Sequence, residues 1–165
     1  MLIGGQAVLF YGEPGLTRDV DITPGVTPDL LEKLKSVTRD LDLKILVSDV
    51  ENFVNETYVL LVPDEESNFR ADFIFSFSPY ESQAIKRAKI MDIGESKVKF
   101  VSLEDLIIHK IIAGRSRDIE YVKSVLLKNQ NFDKKYILKW LREFDVSPGE
   151  NFKEKFEKIV TDEEL

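Results

Sequence analysis

The sequence of 165 residues contains no cysteine and only one histidine. The lack of cysteine excludes disulfide bonds, thiolate zinc sites and thiol nucleophiles, and it fits a reducing compartment or a heat-adapted source. No stretch approaches the roughly 18 uninterrupted apolar residues that a membrane-spanning helix needs, and the N-terminus lacks the basic and then apolar layout of a signal peptide. We therefore expect a cytoplasmic protein that does not interact with membranes.

Positive charge is also scarce, because 23 lysine and arginine residues stand against 30 aspartate and glutamate residues, giving a net charge of −7. This balance does not attract the protein to nucleic acid phosphates over a long range. A small basic cluster, Lys86, Arg87 and Lys89, could still contact a nucleic acid, although a solvated helix surface is the commoner setting for such residues.

The hydrophobic pattern changes along the chain. Apolar residues make up 43% and charged residues 32%, which is typical of a folded domain. Alternation of polar and apolar residues predicts strands at 17–23, 44–47, 57–62 and 69–75 and a pair of short strands joined across Gly94. Helical spacing predicts helices at 27–41 and 79–88, and every element after Ser102 is predicted to be helical. The sequence therefore predicts an α/β (α+β) region in residues 1–101 and a helical extension in residues 102–165.

Acidic residues on two of the predicted strands form a candidate site. Asp19 and Asp21 lie two residues apart, so their side chains share one face of their strand. Asp72 alternates with apolar residues on a later strand and points away from them. Two carboxylates close together can bind divalent metal ions, and a third can accept the proton of an incoming hydroxyl. The three aspartates can form one such site if their strands are neighbours in one sheet.

A Gly4-Gly5 turn precedes a short predicted helix that ends near Gly12. Backbone amides at the start of a helix are a common binding site for the phosphates of a nucleotide. Pairs of aspartates also arise by chance in an acidic chain, and residues 38–43 (TRDLDL) nearly copy residues 17–22 (TRDVDI). The second copy has no glycine turn before it and falls where a helix is predicted to end, so the first copy is the better candidate.

Together these motifs resemble the signature of the polymerase-β-like nucleotidyltransferase superfamily. The signature is an apolar residue, Gly, then Gly or Ser, a gap of roughly nine to thirteen residues, and an acidic, apolar, acidic triplet. Here Ile3, Gly4 and Gly5 are followed by thirteen residues and by residues 19–21 (DVD). Residues 71–73 (ADF) are similar to the later strand carboxylate of that superfamily. Residues 102–122 resemble a Lys, small residue, Arg and Asp motif of the branch that contains the abortive-infection nucleotidyltransferase toxins.

The resemblance implies the nucleotidyltransferase fold, a mixed twisted sheet flanked by helices, with the helical extension closing the cleft. It implies transfer of a nucleoside monophosphate from a nucleoside triphosphate to an acceptor hydroxyl, with release of pyrophosphate and the help of two Mg²⁺ ions. In this interpretation Asp19 and Asp21 bind metal, and Asp72 binds metal or acts as the general base.

The resemblance also assigns residues to the phosphates. Gly4 and Gly5 would hold the triphosphate, and Lys110 and Arg115 would neutralise phosphate charge as the pyrophosphate leaves. Asp118 would orient one of these two cations. A further candidate is Arg18, which could reach a phosphate or pair with a surface carboxylate.

Several alternatives stay open at the level of sequence. The acceptor could be a tRNA end, a protein side chain or a small molecule, and the toxin resemblance suggests an antitoxin-like partner. The chain begins three residues before Gly4, so the first strand is expected to be a stub. A catalytically degenerate nucleotide-binding protein or a partner-binding protein is therefore the alternative to an active enzyme.

Overall fold

The computed structural model describes residues 1–12, 17–146 and 149–164. Within these residues it contains eight α-helices and five β-strands, which confirms the predicted α/β class. Among the described helices, none combines the length and the apolarity that a membrane crossing requires. In chain order the elements are α1 (Gly4–Tyr11), β1 (Asp19–Ile22), α2 (Leu31–Asp40), α3 (Val50–Thr57), β2 (Val59–Asp64), β3 (Phe69–Ile74), α4 (Pro79–Arg87), β4 (Lys89–Ile93), β5 (Ser96–Phe100), α5 (Leu103–Ala113), α6 (Ser116–Lys128), α7 (Lys134–Phe144) and α8 (Phe152–Asp162).

The first sheet has three strands in the order β1, β3, β2. Strand β1 runs parallel to β3, and β2 runs antiparallel to β3. Because successive side chains of a strand point to opposite faces, one face can be apolar while the other is polar. The apolar face belongs to a core cluster that includes Leu34, Val54, Leu60 and Phe75, so helices α2 and α3 cover it.

Residues 1–3 link this sheet to the antiparallel hairpin of β4 and β5. The Ile3 amide donates a hydrogen bond to the Asp21 carbonyl at 2.9 Å, and the Leu2 amide donates one to the Lys99 carbonyl at 2.7 Å. The segment therefore runs between β1 and β5 and forms the stub of a first strand that the sequence predicts.

The chain forms two compact units. The first consists of Met1–Gln6 and Leu16–Val101, and the second consists of Ala7–Gly15 and Ser102–Leu165. The predicted division into residues 1–101 and 102–165 stays a prediction, and Ala7–Gly15 group with the second unit. Side chains of that unit explain this grouping, because Lys128 Nζ donates to the Gly12 carbonyl at 2.9 Å and Asn129 Nδ2 donates to the Tyr11 carbonyl at 2.7 Å.

In the second unit, helix α5 is buried along most of its length and contacts α6, α7 and α8. It begins after Ser102, whose hydroxyl accepts a hydrogen bond from the Asp105 amide at 3.2 Å, as the capping sequence predicts. Asp105 itself has no exposed surface. Its carboxylate accepts hydrogen bonds from the Ser102 hydroxyl at 2.6 Å and from the Tyr136 hydroxyl at 2.8 Å, so this buried acid joins α5 to α7.

Three local predictions are wrong. Residues 44–47 form no strand, although the Leu46 amide donates a hydrogen bond to the Leu61 carbonyl of β2 at 3.1 Å. Helix α3 was not predicted. It begins after Asp49, whose carboxylate accepts a hydrogen bond from the Asn52 amide. Strand β2 does not stop before Pro63 but continues through it, because a proline is tolerated in the edge strand of a sheet.

Candidate active site

The aspartates of the candidate site lie on neighbouring strands. In the parallel pairing of β1 and β3, Asp21 stands opposite Asp72, and Asp19 stands opposite Arg70. Neighbouring strands lie about 4.8 Å apart, and alternate residues share a face, so all four side chains lie on the face opposite the core cluster. The structure therefore places the three predicted carboxylates on one face of adjacent strands, and it adds an arginine that the sequence analysis did not single out.

Arg70 binds two of these carboxylates. Its Nε lies 2.6 Å from Asp72 Oδ1 and its Nη2 lies 2.8 Å from Asp72 Oδ2, which is a two-pronged ion pair. The same Nη2 lies 3.1 Å from Asp19 Oδ1 on the neighbouring strand. The hydrogen bonds to Asp72 raise the pKa of Arg70 above its ordinary value, and the charges of Asp72, Asp19 and Asp21 add to this effect against the opposing effect of burial.

The ion pair of Arg70 with Asp72 could have been predicted from their spacing in the sequence. Residues two apart on a strand share a face, so the order Arg-Ala-Asp in β3 already placed the guanidinium beside the carboxylate. Arg18, the arginine that the sequence analysis did single out, is exposed and precedes β1. Its carbonyl accepts a hydrogen bond from the Arg70 amide at 3.1 Å, and its role in phosphate binding stays a prediction.

The glycine turn contacts the acidic strand directly. Gly4 opens helix α1 with φ of +63°, and a Cβ added to it would lie 1.8 Å from Asp21 Oδ2. A side chain at this position would therefore occupy the place of the Asp21 carboxylate, in a backbone conformation that favours glycine. A Cβ on Gly5 would lie 2.8 Å from the hydroxyl oxygen of Thr17, just before β1. The Gly-Gly pair thus lets the start of the helix approach the carboxylate strand.

The predicted phosphate-binding residues of the second unit form a cluster of their own. Asp118 Oδ1 accepts a hydrogen bond from Lys110 Nζ at 2.9 Å, and Asp118 Oδ2 accepts one from Arg115 Nε at 2.5 Å. The side chains of Asp118 and Lys110 are 2% and 9% exposed, whereas that of Arg115 is 75% exposed. Asp118 therefore orients both cations, and Arg115 is the one that presents a guanidinium to solvent.

The protonation of Asp118 reflects two opposing effects. Burial, the larger single effect, favours the neutral acid, but the hydrogen bonds and charges of Arg115 and Lys110 together hold the pKa of the carboxyl below its usual value. Asp118 is therefore ionised at neutral pH. Lys110 also lies 5.3 Å from the centre of the Tyr121 ring, close enough for a cation–π contact.

The chemistry of the first-unit residues suits a magnesium ion. Mg²⁺ prefers oxygen ligands, above all carboxylates, and Asp19, Asp21 and Asp72 supply them from adjacent strand positions. Across the described ranges 1–12, 17–146 and 149–164, no three His, Asp or Glu side chains already converge on one point as metal ligands. Two of the three aspartates are turned to Arg70 instead. Their role as metal ligands stays a prediction.

A small mixed sheet with carboxylates beside a glycine turn is what the nucleotidyltransferase fold predicts, and the comparison with solved structures agrees on the fold. The fold is similar to that of an antigenic nucleotidyltransferase-like protein from Paracoccidioides brasiliensis, with a TM-score of 0.58 over 98% of this chain and 78% of that chain. The two sequences are 16% identical, so this likeness concerns the fold alone.

Comparison of the sequence with models of protein families identifies the family. Residues 1–159 match the model of the family described as "Nucleotidyl transferase of unknown function (DUF2204)", and the chain belongs to this family. A comparison with curated proteins finds no match. The predicted resemblance to nucleotidyltransferases is thereby confirmed, whereas the resemblance to the toxin branch stays a prediction.

Proposed function

We propose that this protein transfers a nucleoside monophosphate from a nucleoside triphosphate to an acceptor hydroxyl and releases pyrophosphate, in a reaction that depends on Mg²⁺. The observation that carries the proposal is the register of β1 and β3, which places Asp21 opposite Asp72 while Gly4 at the start of α1 contacts the Asp21 carboxylate. A helix start, a kind of site that often binds phosphates, therefore lies beside the carboxylates in one unit, and this supports the proposal.

In the proposed reaction the acceptor oxygen forms a bond to the α-phosphorus. The bond from the α-phosphorus to the oxygen that bridges to the β-phosphate breaks, and the electron pair leaves with pyrophosphate. The hydroxyl proton moves to a carboxylate, for which Asp72 is the candidate. Both oxygens of Asp72 accept hydrogen bonds from Arg70, so we propose that Arg70 turns away before Asp72 accepts the proton.

Asp19, Asp21 and Asp72 would hold the metal, and the family resemblance suggests two ions. When bound, Mg²⁺ neutralises the charge that develops on the phosphate oxygens. The protein residues bring the oxygen ligands into place: β1 and β3 fix the aspartates in adjacent positions, and Gly4 leaves room for the Asp21 carboxylate.

Candidate phosphate ligands are proposed for each unit by itself. The amides of Gly4 and Gly5 at the start of α1 point along the helix axis, where the helix dipole favours anions. In the second unit we propose Arg115 as the direct phosphate ligand, because its guanidinium is largely exposed while Asp118 fixes its direction. Lys110 is nearly buried against Asp118, and the family resemblance suggests that it neutralises phosphate charge.

The acceptor is proposed only as a class, a molecule with a free hydroxyl such as a tRNA end, a protein side chain or a small molecule. Labelled nucleotide with ³²P at the α-phosphate would report transfer to any of them. An antitoxin-like partner belongs to the same proposal through the toxin resemblance, and copurification with such a partner would support it.

Calorimetric titration of ATP, GTP, CTP and UTP with Mg²⁺ tests the proposal. The wild type is compared with the Asp19→Asn/Asp21→Asn double variant, and Asp40→Asn/Asp42→Asn serves as the matched control. The control removes the same two charges from an almost identical sequence, and both of its residues are exposed. We expect magnesium-dependent binding in the wild type and the control, and its loss in the first double variant. Binding that survives in all three proteins would contradict the proposed site.

One observation favours a second function, nucleotide binding without transfer. Arg70 pairs with Asp72 and Asp19, and a site that keeps this pairing would bind phosphates without metal held by these carboxylates. Nucleotide binding that is unaffected by removal of Mg²⁺ and is not followed by label transfer would favour this binding protein over the enzyme.

A further inference from the structure

Arg70 and its two carboxylates form a self-neutralised arrangement on the open face of the first sheet. Both oxygens of Asp72 accept hydrogen bonds from one guanidinium, at 2.6 and 2.8 Å, and the same guanidinium reaches Asp19 at 3.1 Å. Arg70 thus bridges β3 to β1 between two of the three candidate metal ligands. Its charge balances carboxylates that would otherwise repel one another at adjacent strand positions.

Arg70 already binds both oxygens of Asp72 and one oxygen of Asp19, so a metal ion would have to compete for the lone pairs that remain. Mg²⁺ binds carboxylate oxygens at about 2.0–2.1 Å, and the bidentate guanidinium already occupies the side of Asp72 that faces Asp19. A divalent ion about 5 Å from a unit positive charge is disfavoured by roughly tenfold even in a dielectric like that of water. Arg70 therefore competes with metal both for ligand atoms and through its charge.

The Arg70 side chain can turn away from the carboxylates without disturbing the hydrophobic core. Its side chain is 39% exposed, whereas that of Asp72 is 13% exposed, so the guanidinium lies on the solvent side of the pair. The residues beside it on β3, Phe69 and Ala71, are not part of its ion pair, and Ala71 packs against the core cluster. A rotation of the Arg70 side chain therefore changes the site and leaves the core intact.

We infer that Arg70 is a displaceable counter-ion that keeps the carboxylate site closed to metal until a nucleoside triphosphate offers the guanidinium another anionic partner. The inference rests on the proposed function, because it concerns the same site. Metal and nucleotide then bind cooperatively: the nucleotide-free protein has low affinity for divalent ions, and the triphosphate draws Arg70 away from Asp72 as the metal enters. Arg70 is therefore a positioning residue that couples the binding of metal to the binding of nucleotide.

Binding of Mn²⁺ to the nucleotide-free protein, measured from the electron paramagnetic resonance signal of the free ion, tests the inference without any activity assay. We expect Arg70→Gln to bind Mn²⁺ at least about tenfold more tightly than the wild type. Lys97→Gln is the matched control, because Lys97 forms an exposed ion pair with Asp92 at 2.7 Å in the same unit, and its Mn²⁺ affinity should equal that of the wild type. Adding Asp19→Asn and Asp21→Asn to Arg70→Gln should abolish the gain.

A second variant covers the case in which Arg70→Gln does not fold. Arg70→Lys keeps the charge but loses the two-pronged geometry, so its Mn²⁺ affinity should lie between those of the wild type and Arg70→Gln. Equal Mn²⁺ affinities of the wild type and the folded Arg70 variants would overturn the inference. The Mn²⁺ comparison needs no nucleotide and tests the role of Arg70 alone. The proposed function is tested in a separate experiment, in which a failure of the wild type to bind nucleotide with Mg²⁺ would count against it.

Discussion

Replacing Gly4 with alanine tests the contact between the glycine turn and the acidic strand. Gly4 has φ of +63°, and the added Cβ would lie 1.8 Å from Oδ2 and 2.6 Å from Cγ of Asp21. Real Cβ atoms essentially never approach other atoms this closely, so either the carboxylate or the start of helix α1 must move. The variant therefore changes the site through one added methyl group.

The expected loss of stability has two parts. An L-residue in the left-handed conformation costs roughly 1–2 kcal/mol, and forcing the Asp21 side chain off its rotamer costs about 0.5–1.5 kcal/mol more. We expect Gly4→Ala to lower the free energy of unfolding by about 2–3 kcal/mol. Urea denaturation measures this loss, and calorimetric titration of nucleotide with Mg²⁺ measures the effect on the site.

Two controls separate backbone strain from the contact with Asp21. Gly94 also has positive φ, at +57°, but a Cβ added there meets nothing within 4 Å, so Gly94→Ala should show the backbone cost and keep nucleotide binding. In an Asp21→Ala background the two closest contacts are gone and only the residue 21 Cβ, at 3.0 Å, remains, so Gly4→Ala should then cost little more than the backbone part. Equal losses for Gly4→Ala in both backgrounds, with unchanged nucleotide binding in otherwise wild-type protein, would refute the reasoning.

Two further predictions follow from buried ionisable groups of the second unit. Asp118→Asn should destabilise the protein by roughly 3 kcal/mol near pH 7, because Lys110 is left nearly buried without its counter-charge. The pKa of Asp118 is lowered in the folded state, so this contribution is complete above the unfolded pKa of about 3.9. The stability difference between wild type and variant should shrink as pH falls below that value, and a difference that is constant down to pH 2 would contradict it. Burial, helped by Glu104 and Asp105, raises the pKa of Tyr11 to about 12. The wild type should therefore lose about 2 kcal/mol relative to Tyr11→Phe as pH rises from 10 to 12, and parallel alkaline unfolding curves would contradict this.

The strand register explains why the carboxylate set could be predicted from sequence. Side chains alternate with a period of two along a strand, so Asp19 and Asp21 had to share a face and Asp72 had to lie opposite its apolar neighbours. That β1 and β3 are adjacent depends on long-range pairing, which no local pattern contains. The family resemblance supplied this step.

Other features depend on contacts that the local pattern does not show. The run at 44–47 has strand composition, but a strand needs a hydrogen-bonded ladder, and the structure gives these residues no strand. Helix α3 has only eight residues, and its signal, a capping Asp49 followed by the buried pair Val50 and Val54, is short. The pairing of Arg70 with Asp72 could have been predicted from their spacing, whereas its reach to Asp19 required the neighbouring strand.

The most direct test of the proposed site is a crystal of the protein grown with Mn²⁺ and a triphosphate whose bridging oxygen between the α- and β-phosphorus atoms is replaced by a methylene group, so that the reactive bond cannot break. We predict an anomalous manganese peak bound by oxygens of Asp19, Asp21 and Asp72, phosphates at the start of α1, and Arg70 turned away from Asp72. A nucleotide and metal bound elsewhere, with Arg70 still paired to Asp72, would contradict the account.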